Sequence, residues 1–333
     1  MKIAIVGAGA IGGMITALLA RIGADPLLIA RGSTLAAIRQ YGLTFEDATF
    51  QDAASGFTCH PRVTDAPQVE GPQDLIIIAV KAHQIKSALP MITPLMGPNT
   101  HILTAINGLP WWFFQGADGP HKNHILKHVD PDGTLSRQFD PSRIIGCAVY
   151  LASEVIAPYT IKSSGANRLV IGAITQPPPA ILSEIAPVME AAGLTCTVSE
   201  AIRADVLNKL MGNLWANPLS VVTGGTLDIM THDPQISGIG RRMMEEFSDL
   251  CAALKVSLSV TIDQRFQGGL KLGAFRTSML QDYDRGRAIE LDAILGAAIE
   301  VADLLKTPCD TMRMVYALTR MRAEATGCYQ KPV

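Results

Sequence analysis

Residues 2–12 have the sequence KIAIVGAGAIG, and this stretch decides the fold. Its first half is an apolar run typical of a buried parallel strand, and the apolar segment after it, Gly13 to Arg21, is typical of a helix. Gly7 permits a tight turn between the two, Gly9 lets a pyrophosphate approach the backbone, and Gly12 lets the helix pack against the strand. The combination predicts a dinucleotide site, with a purely structural glycine turn as the alternative. The expected contact residues are Gly7, Gly9, Ala10, Ile11 and Gly12.

The end of the second predicted strand, Pro26 to Ala30, indicates which dinucleotide binds. NAD enzymes usually place an Asp or Glu there, where its carboxylate accepts hydrogen bonds from the ribose hydroxyls. This chain has Arg31 at that place, with Ser33 close by and no carboxylate between Pro26 and Leu43. Because a guanidinium binds a phosphate through charge-assisted hydrogen bonds, the sequence predicts NADP(H). The alternative is an arginine in a solvated loop.

The composition describes a core-rich globular protein. Of its 333 residues, 48% are hydrophobic and only 17% are charged, and this length suits about two domains. The formal net charge of −2 and the dispersed Lys and Arg residues argue against nucleic acid as a partner. No apolar run approaches the roughly 20 residues that span a bilayer. The six scattered cysteines indicate reduced thiols, so we expect a cytoplasmic protein with no membrane partner.

Strands and helices alternate in the first part of the chain. Asp74 to Val80 and Ile102 to Ile106 are strand-like runs, and the first is followed by a helical pattern. This alternation predicts an α/β fold with a Rossmann-type, doubly wound parallel sheet, in which ligands bind beyond the carboxyl ends of the strands. Four segments would therefore deliver binding groups to one edge of the sheet, through Gly7, Arg31, Lys81 and Asn107.

Short strand-like pieces recur between Ile144 and Ile174. Helical periodicity dominates from Ser199 almost to the end of the chain, with predicted breaks at Gly224-Gly225, Gly268-Gly269 and Pro308. We therefore expect two domains. Residues 1–198 would form the NADP-binding domain, and residues 199–333 would form an all-helical domain for substrate binding and catalysis.

The stretch from Leu109 to Arg143 interrupts the alternation. It opens with four aromatic residues, Trp111 to Phe114, which could shape a substrate pocket or merely anchor the loop. His124 and His128 would share one face of a helix and could in principle ligate a metal. Because no third ligand is evident and the surroundings are typical of an exposed loop, we expect no metal site.

Lys209, Asn213 and Asn217 are spaced at i, i+4 and i+8 in a helical segment, so they form one polar stripe on a helix. Leucine and methionine residues occupy the other faces, which indicates a helix that is packed on most sides. Asparagine is a poor helix former, and a merely solvated face would not need two of them. The pattern favours a functional stripe over a surface stripe.

A second candidate region runs from Thr277 to Asp292. Ser278 could begin or cap a helix as readily as bind a ligand, and Glu290 could be an ordinary surface carboxylate. The residue types alone leave both alternatives open.

The order of these motifs resembles the ketopantoate reductase (2-dehydropantoate 2-reductase) family over nearly the whole chain. The glycine pattern alone is not specific, but the combination of motifs is. The resemblance rests on Gly7-x-Gly9-x-x-Gly12, Arg31, Val80-Lys81-Ala82, Ile106-Asn107-Gly108, Lys209-Leu210-x-x-Asn213-x-x-x-Asn217-Pro218-Leu219, and Ser278 to Asp282 ahead of Glu290.

The resemblance implies hydride transfer from NADPH to the C2 ketone of ketopantoate, which gives pantoate for pantothenate synthesis. Lys209 would be the general acid that protonates the developing alkoxide, and Glu290 would orient the substrate and help to position Lys209. The family implies substrate contacts for Asn213, Asn217 and Ser278. It implies contacts on the nicotinamide side of the cofactor for Lys81 and Asn107.

Two features depart from the family pattern. The stretch from Trp111 to Asp140 is longer than in compact members of the family, and it follows Asn107 closely. Phe275 and Arg276 precede Ser278, where a more polar, asparagine-containing approach is expected. Both features could change which anion is accepted, so a different 2-keto acid is the alternative small-molecule substrate.

Two further hypotheses concern the helical half. In the first, the chain belongs to another class of protein, a sensor that binds NADP(H) without turnover. Sensing needs no array of lysine and asparagine side chains, so the stripe argues against this hypothesis. The helical half could also form a homodimer, because its apolar segments, Met243 to Leu254 and Ala293 to Leu305, could pack either within a monomer or between subunits. Dimerisation would not exclude catalysis.

Overall fold

The computed structural model of the protein describes residues 1–47 and 56–329, which form two compact units. Unit 1 comprises Met1–Ile106, Gln115–Lys122 and Arg137–Ile202. Unit 2 comprises Asn107–Phe114, Asn123–Ser136 and the chain from Arg203 onward. Two short segments of the interrupting stretch therefore belong to the helical unit. The functional division into residues 1–198 and 199–333 stays a prediction.

Ten strands of the described chain form one sheet in unit 1. They are β1 (Ile3–Val6), β2 (Leu27–Ile29), β3 (Leu43–Asp47), β4 (Phe57–Cys59), β5 (Arg62–Thr64), β6 (Leu75–Ile78), β7 (His101–Thr104), β8 (Ile144–Ala157), β9 (Thr160–Ala173) and β10 (Thr195–Val198). The helices of this part of the chain are α1 (Ala10–Arg21), α2 (Gly32–Tyr41), α3 (Ile85–Ile92), α4 (Thr134–Gln138) and α5 (Leu182–Ala191). The residues of the short helix α4 are divided between the two units.

The centre of the sheet is parallel, in the order β5-β2-β1-β6-β7-β8. Beyond β8 the sheet becomes mixed, because β9 pairs antiparallel with β8 and parallel with β3 and β10. The predicted α/β class with an N-terminal Rossmann-type sheet is confirmed. The short strands expected between Ile144 and Ile174 are instead two strands of 14 residues each.

The core of unit 1 lies between the sheet and its helices. Every residue of β1 and of β6 is buried, as expected for central parallel strands that are covered on both faces. Helix α1 contributes a buried side from Gly12 to Leu19, in which Met14, Ile15 and Leu18 pack with strand residues. The helix that follows the glycine motif is thus fixed by apolar packing along most of its length.

Unit 2 is helical. Its helices are α6 (Ile202–Thr223), α7 (Leu227–His232), α8 (Pro234–Ala253), α9 (Ile262–Lys271), α10 (Ser278–Asp284), α11 (Ala297–Leu305) and α12 (Asp310–Ala325). A π-helical turn, Asp292–Gly296, leads directly into α11, and we call it the π segment. The predicted helical character of the C-terminal region is confirmed.

Local sequence explains most helix boundaries in unit 2. Asp233 caps α8 by accepting hydrogen bonds from the N–H groups of Gln235 and Ile236, and Thr261 and Gln264 form a capping box at α9. The predicted breaks at Gly224-Gly225 and Pro308 are confirmed. The break predicted at Gly268-Gly269 is wrong, since α9 continues through both residues and buries Gly269 against Leu227.

In the described part of the chain, none of the helices combines the length and the apolar character that crossing a bilayer requires.

Candidate active site

The carboxyl ends of four strands are aligned in unit 1. Val6 of β1 pairs with Ile29 of β2 and with Ile78 of β6, and Ile78 pairs with Thr104 of β7. Because these strands end together, the groups that follow them lie at one edge of the sheet, where ligands bind in folds of this class. The predicted cofactor residues Gly7, Arg31 and Lys81 follow β1, β2 and β6 in this way.

Gly7 begins the glycine turn, residues 7–12, with a backbone φ of +112° that favours glycine. A Cβ atom on Gly7 would lie 2.8 Å from the side chain of Val80 and 2.9 Å from the carbonyl oxygen of Ala79. A Cβ atom on Gly12 would lie 1.9 Å from the carbonyl oxygen of Gly7. Both positions therefore require glycine for the chain to turn and for α1 to pack closely.

Gly9 differs from these two glycines, because a Cβ atom there would meet nothing within 4 Å. Gly9 is exposed and caps α1 without a side-chain hydrogen bond, and the half-buried Ala10 and Ile11 begin the helix. The first turn of α1 contains no acidic residue. Open space at an uncharged helix N-terminus fits a dinucleotide pyrophosphate.

Arg31 is exposed at the N-terminus of α2, directly after β2 and Ala30. Its side chain makes no hydrogen bond or ion pair with another residue of the ranges 1–47 and 56–329. Lys81 is half-buried after β6, and its backbone N–H donates to Oε1 of Gln84 at 3.2 Å. The guanidinium of Arg31 is therefore available, at the end of β2, for an anionic group of a ligand.

The polar stripe lies on α6 of unit 2, as predicted. Lys209 and Asn213 are half-buried and Asn217 is buried, while the apolar residues on the other faces are buried. The amides of Asn213 and Asn217 form no hydrogen bond with any other side chain or backbone group in the described chain. Because an amide has two N–H donors and an acceptor oxygen, these groups are suited to bind a polar ligand.

Lys209 donates a hydrogen bond from Nζ to Oδ1 of Asn107, and the distance is 2.6 Å. Both residues belong to unit 2, although Asn107 is separated from Lys209 by 102 positions in the chain. The ammonium group of Lys209 is thus oriented by a neutral oxygen. The sequence predicted Asn107 as a cofactor residue and did not predict this contact.

The turn that carries Asn107 is fixed on the π segment. The N–H of Leu109 donates to the carbonyl oxygen of Ala293 at 2.7 Å. Gly108 has a φ of +82°, and a Cβ atom there would lie 2.4 Å from the same oxygen. Only glycine allows this close approach, which holds Asn107 in place. Single π-helical turns are often found at functional sites.

Glu290 lies just before the π segment and is half-buried. Its carbonyl oxygen accepts the N–H of Ile294 at 3.1 Å, so its backbone is continuous with the π segment that supports Asn107. Two residues further on, Asp292 accepts hydrogen bonds from the hydroxyls of Tyr316 at 2.7 Å and Tyr329 at 3.0 Å. Burial raises the pKa of Asp292, and the two tyrosine hydroxyls oppose this effect.

Ser278 is the first residue of α10 and is exposed. Thr277, which precedes it, is the helix cap and accepts the N–H of Leu280 at 3.1 Å. The Ser278 hydroxyl has no hydrogen-bond partner among the residues that the structure describes. Capping is therefore not the role of Ser278, and its hydroxyl is available for a ligand. The sequence pointed to Ser278 but missed the capping role of Thr277.

The aromatic residues Trp111 to Phe114 are all buried. Their segment belongs to unit 2, where Arg203 donates a hydrogen bond to the carbonyl oxygen of Phe113 at 2.7 Å. Burial of the four rings favours anchoring over a substrate pocket. Four consecutive large aromatic side chains are the feature of the sequence that could have predicted this burial.

His124 and His128 both approach Glu300, at 4.0 Å from Nε2 and 2.9 Å from Nδ1 respectively. The N–H groups of Lys127 and His128 also donate to this carboxylate. The hydrogen bond from Glu300 raises the pKa of His128. Burial raises the pKa of Glu300, but hydrogen bonds from the His128 ring and the two backbone groups outweigh burial and lower it. Within residues 1–47 and 56–329, no three His, Cys, Asp or Glu side chains are grouped to hold a metal ion.

Comparisons with known proteins agree with the motifs. Residues 3–176 match the sequence profile "Ketopantoate reductase PanE/ApbA", and residues 201–323 match the profile of its C-terminal part. A 2-dehydropantoate 2-reductase of Mesorhizobium japonicum is 38% identical over 99% of this chain and 100% of its own length. A solved structure from Ralstonia solanacearum, described as a candidate ketopantoate reductase, is 34% identical, with a TM-score of 0.92 over 98% of this chain and 99% of that one.

Two more distant structures share the fold. A D-mandelate dehydrogenase solved with NADH and anilino(oxo)acetate is 19% identical, with a TM-score of 0.83 over 98% of this chain and 100% of that one. A dimeric ketopantoate reductase from Staphylococcus aureus is 21% identical, with a TM-score of 0.73 over 98% of this chain and 100% of that one.

Proposed function

The chain belongs to the ketopantoate reductase family of nicotinamide-dependent oxidoreductases acting on a CH–OH group, and we propose that it reduces ketopantoate to pantoate with NADPH in pantothenate biosynthesis. The observation that carries the proposal is the hydrogen bond of 2.6 Å between Lys209 and Asn107. It orients an ammonium group at one end of a stripe whose other members have unpartnered amides.

Lys209 is the proposed general acid. Reduction of a ketone places negative charge on its oxygen, and a fixed ammonium group both stabilises this charge and donates the proton that gives the alcohol. Asn107 keeps Nζ of Lys209 in one orientation by accepting one of its protons. Glu290 is proposed to orient the substrate and to help position Lys209.

Asn213, Asn217 and Ser278 are the proposed substrate ligands. Ketopantoate carries a carboxylate and a hydroxyl, and amide and hydroxyl groups can donate to the first and exchange hydrogen bonds with the second. All three side chains are without a hydrogen-bond partner within the described chain. They therefore have the bonding capacity that the substrate needs.

The proposed cofactor is NADP(H), which supplies the hydride when bound. The residues of the glycine turn, Gly7, Gly9, Ala10, Ile11 and Gly12, would hold the pyrophosphate, and Arg31 would hold the 2′-phosphate. The open space at Gly9 and the exposed guanidinium of Arg31 support this assignment. Lys81 and Asn107 are proposed contacts on the nicotinamide side.

The test of this function is Lys209→Ala, assayed by the absorbance of NADPH with ketopantoate as substrate. Loss of the general acid should lower kcat by about 100-fold or more, while NADPH still binds. Lys271→Ala is the matched control, because Lys271 is an exposed lysine of α9 outside the proposed site. Unchanged turnover in Lys209→Ala would refute the catalytic assignment. Binding of NADPH by the native protein without turnover of any keto acid would favour the sensor hypothesis instead.

A different 2-keto acid is the second candidate substrate. Arg276 lies two residues before Ser278 and forms an exposed ion pair with Asp284, so the approach to α10 carries a cation that could meet an anionic substrate. A panel of 2-keto acids distinguishes the candidates. A clear preference for a compound without the hydroxyl of ketopantoate would keep the reaction and change the substrate.

A homodimer is the proposed assembly. Met314, Leu318 and Met321 are exposed on α12 at positions i, i+4 and i+7, so they form one apolar stripe on the helix surface. A dimeric relative of the same fold supports the same assembly here.

The expected cytoplasmic location remains part of the proposal, and fractionation of the source cells tests it.

A further inference from the structure

Two buried hydroxyl groups connect α6 with the start of α10. Ser220 is 0% exposed and lies three residues after Asn217, and Thr277 is 3% exposed and immediately precedes Ser278. Oγ of Ser220 and Oγ1 of Thr277 are 2.7 Å apart. We call this pair the hydroxyl bridge, and it lies entirely within unit 2.

The hydrogen bonds of the bridge have one consistent direction. Ser220 donates its hydroxyl proton to the carbonyl oxygen of Asn217 at 2.7 Å. Because a hydroxyl has only one proton, Thr277 must be the donor in the bond between the two hydroxyls. Thr277 in turn accepts the N–H of Leu280 at 3.1 Å. The bridge thus joins the first turn of α10 to the backbone of Asn217 without an unused proton.

Helix capping alone does not explain this arrangement. As a cap, Thr277 needs only the bond from Leu280, and a buried hydroxyl on α6 is not required for that bond. The bond between the two hydroxyls instead links the backbone of Asn217, through Ser220, to Thr277, which immediately precedes Ser278. Asn217 and Ser278 are proposed substrate ligands. Those ligands, the Asn217 amide and the Ser278 hydroxyl, are unpartnered within the described residues, while the hydroxyls behind them are satisfied.

We propose that Ser220 and Thr277 are positioning residues that fix the separation between Asn217 and Ser278 and thereby set selectivity for the substrate hydroxyl. This inference rests on the proposed function, in which those two residues bind a hydroxylated 2-keto acid. Breaking the bridge should loosen substrate recognition and leave Lys209, which lies about three helical turns before Ser220 on α6, in place.

The experiment compares Thr277→Val and Ser220→Ala in the full-length enzyme. Either variant should raise KM for ketopantoate by about tenfold, with kcat and the KM for NADPH changed by less than about threefold. Selectivity is the second readout: the ratio of kcat/KM between ketopantoate and 3,3-dimethyl-2-oxobutanoate, the analogue in which hydrogen replaces only the hydroxyl, should fall. Thr277→Ser restores the hydroxyl and should restore both values. The double variant should be no worse than Thr277→Val alone, because Thr277→Val already removes the bridge together with the cap bond from Leu280.

Thr319→Val is the matched control. Thr319 is also fully buried, and its hydroxyl donates to the carbonyl oxygen of Val315 on α12 at 2.7 Å and lies 3.4 Å from the carbonyl oxygen of Pro218 on α6. None of these hydrogen bonds reaches α10. An equal rise of KM in this variant would mean general loosening of α6 and would overturn the inference. Unchanged KM and selectivity in folded Thr277→Val and Ser220→Ala, as judged by thermal melting, would also overturn it. Absence of turnover in the wild type would instead refute the proposed function.

Discussion

Lys209 obtains its orientation from a residue 102 positions away in the chain. Each member of the pair stands out in the sequence, Asn107 because it follows a strand and Lys209 because it begins the polar stripe. The contact between them is not visible in the sequence. It depends on the hydrogen bond from the N–H of Leu109 to the π segment and on a glycine at position 108. Sequence patterns therefore locate candidate residues one element at a time, whereas pairing between elements requires the three-dimensional structure.

The proposed preference for NADP(H) depends on a single residue, Arg31. We predict that Arg31→Ala weakens NADPH binding by about tenfold to hundredfold, the value of lost charge-assisted hydrogen bonds, and leaves NADH binding nearly unchanged. Fluorescence titration with both cofactors measures the effect.

The matched control for this substitution is Arg39→Ala, since Arg39 is another exposed arginine of α2 that pairs weakly with Asp65 at 4.0 Å. Equal weakening of both cofactors by Arg31→Ala would contradict the 2′-phosphate assignment. Weakening by Arg39→Ala would point to the general charge of the helix rather than to one guanidinium.

The glycine turn is an element in which neighbouring glycines have different duties. We predict that Gly12→Ala destabilises unit 1 by about 3 kcal/mol, at the upper end of overpacking costs, because its Cβ would lie 1.9 Å from the carbonyl oxygen of Gly7. Gly9→Ala should leave stability nearly unchanged, since nothing lies within 4 Å, but should weaken NADPH binding at least about tenfold. Thermal melting with and without NADPH separates the two outcomes. Normal NADPH affinity in Gly9→Ala would disprove a pyrophosphate at this turn.

Elements differ in how far the sequence predicts them. The strand β1, helix α1 and helix α6 were predicted because their signals are local: a continuous apolar run, a glycine pattern and a helical spacing. The long strands β8 and β9 were predicted as short pieces, because their length depends on pairing with each other. Helix α9 continues through Gly268-Gly269 because a tertiary contact of Gly269 with Leu227 overrides its weak helix propensity.

The contact between His128 and Glu300 makes the attachment of segment 123–136 to α11 dependent on pH. Because the hydrogen bond to Glu300 raises the pKa of His128, the contact is fully stabilising below the unfolded pKa of about 6.5. The stabilisation is lost as the pH rises through the folded pKa. We therefore predict that His128→Gln lowers Tm more at about pH 5.5 than at about pH 8.5.

Differential scanning fluorimetry at both pH values measures this difference. His60→Gln is the control, because His60 is an exposed histidine of unit 1 and its substitution should leave Tm unchanged. An equal loss of Tm in His128→Gln at both pH values would mean that the ring acts by packing and not by its charge.

At the scale of the whole molecule, the apolar stripe of α12 predicts self-association. Met314 and Met321 are 64% and 68% exposed, and burying such side chains against a second copy would be favourable. We predict that Leu318→Glu converts a dimer to a monomer in size-exclusion chromatography with light scattering, while the fold is kept. Ile229→Glu, at an exposed apolar residue of α7, is the matched control and should remain dimeric. A wild-type protein that is monomeric at all concentrations would refute the assembly.

The chain passes between its two units at Ile106, Phe114, Lys122, Ser136 and Ile202, and this path has a consequence for biosynthesis. Asn107 leaves the ribosome long before Lys209, and the π segment that holds its turn follows Lys209 by more than 80 residues. A nascent chain can therefore complete the strands of its sheet while the proposed general acid, Lys209, still lacks the support that orients it. We expect the growing polypeptide to gain cofactor affinity early and reductase activity only when translation is nearly finished.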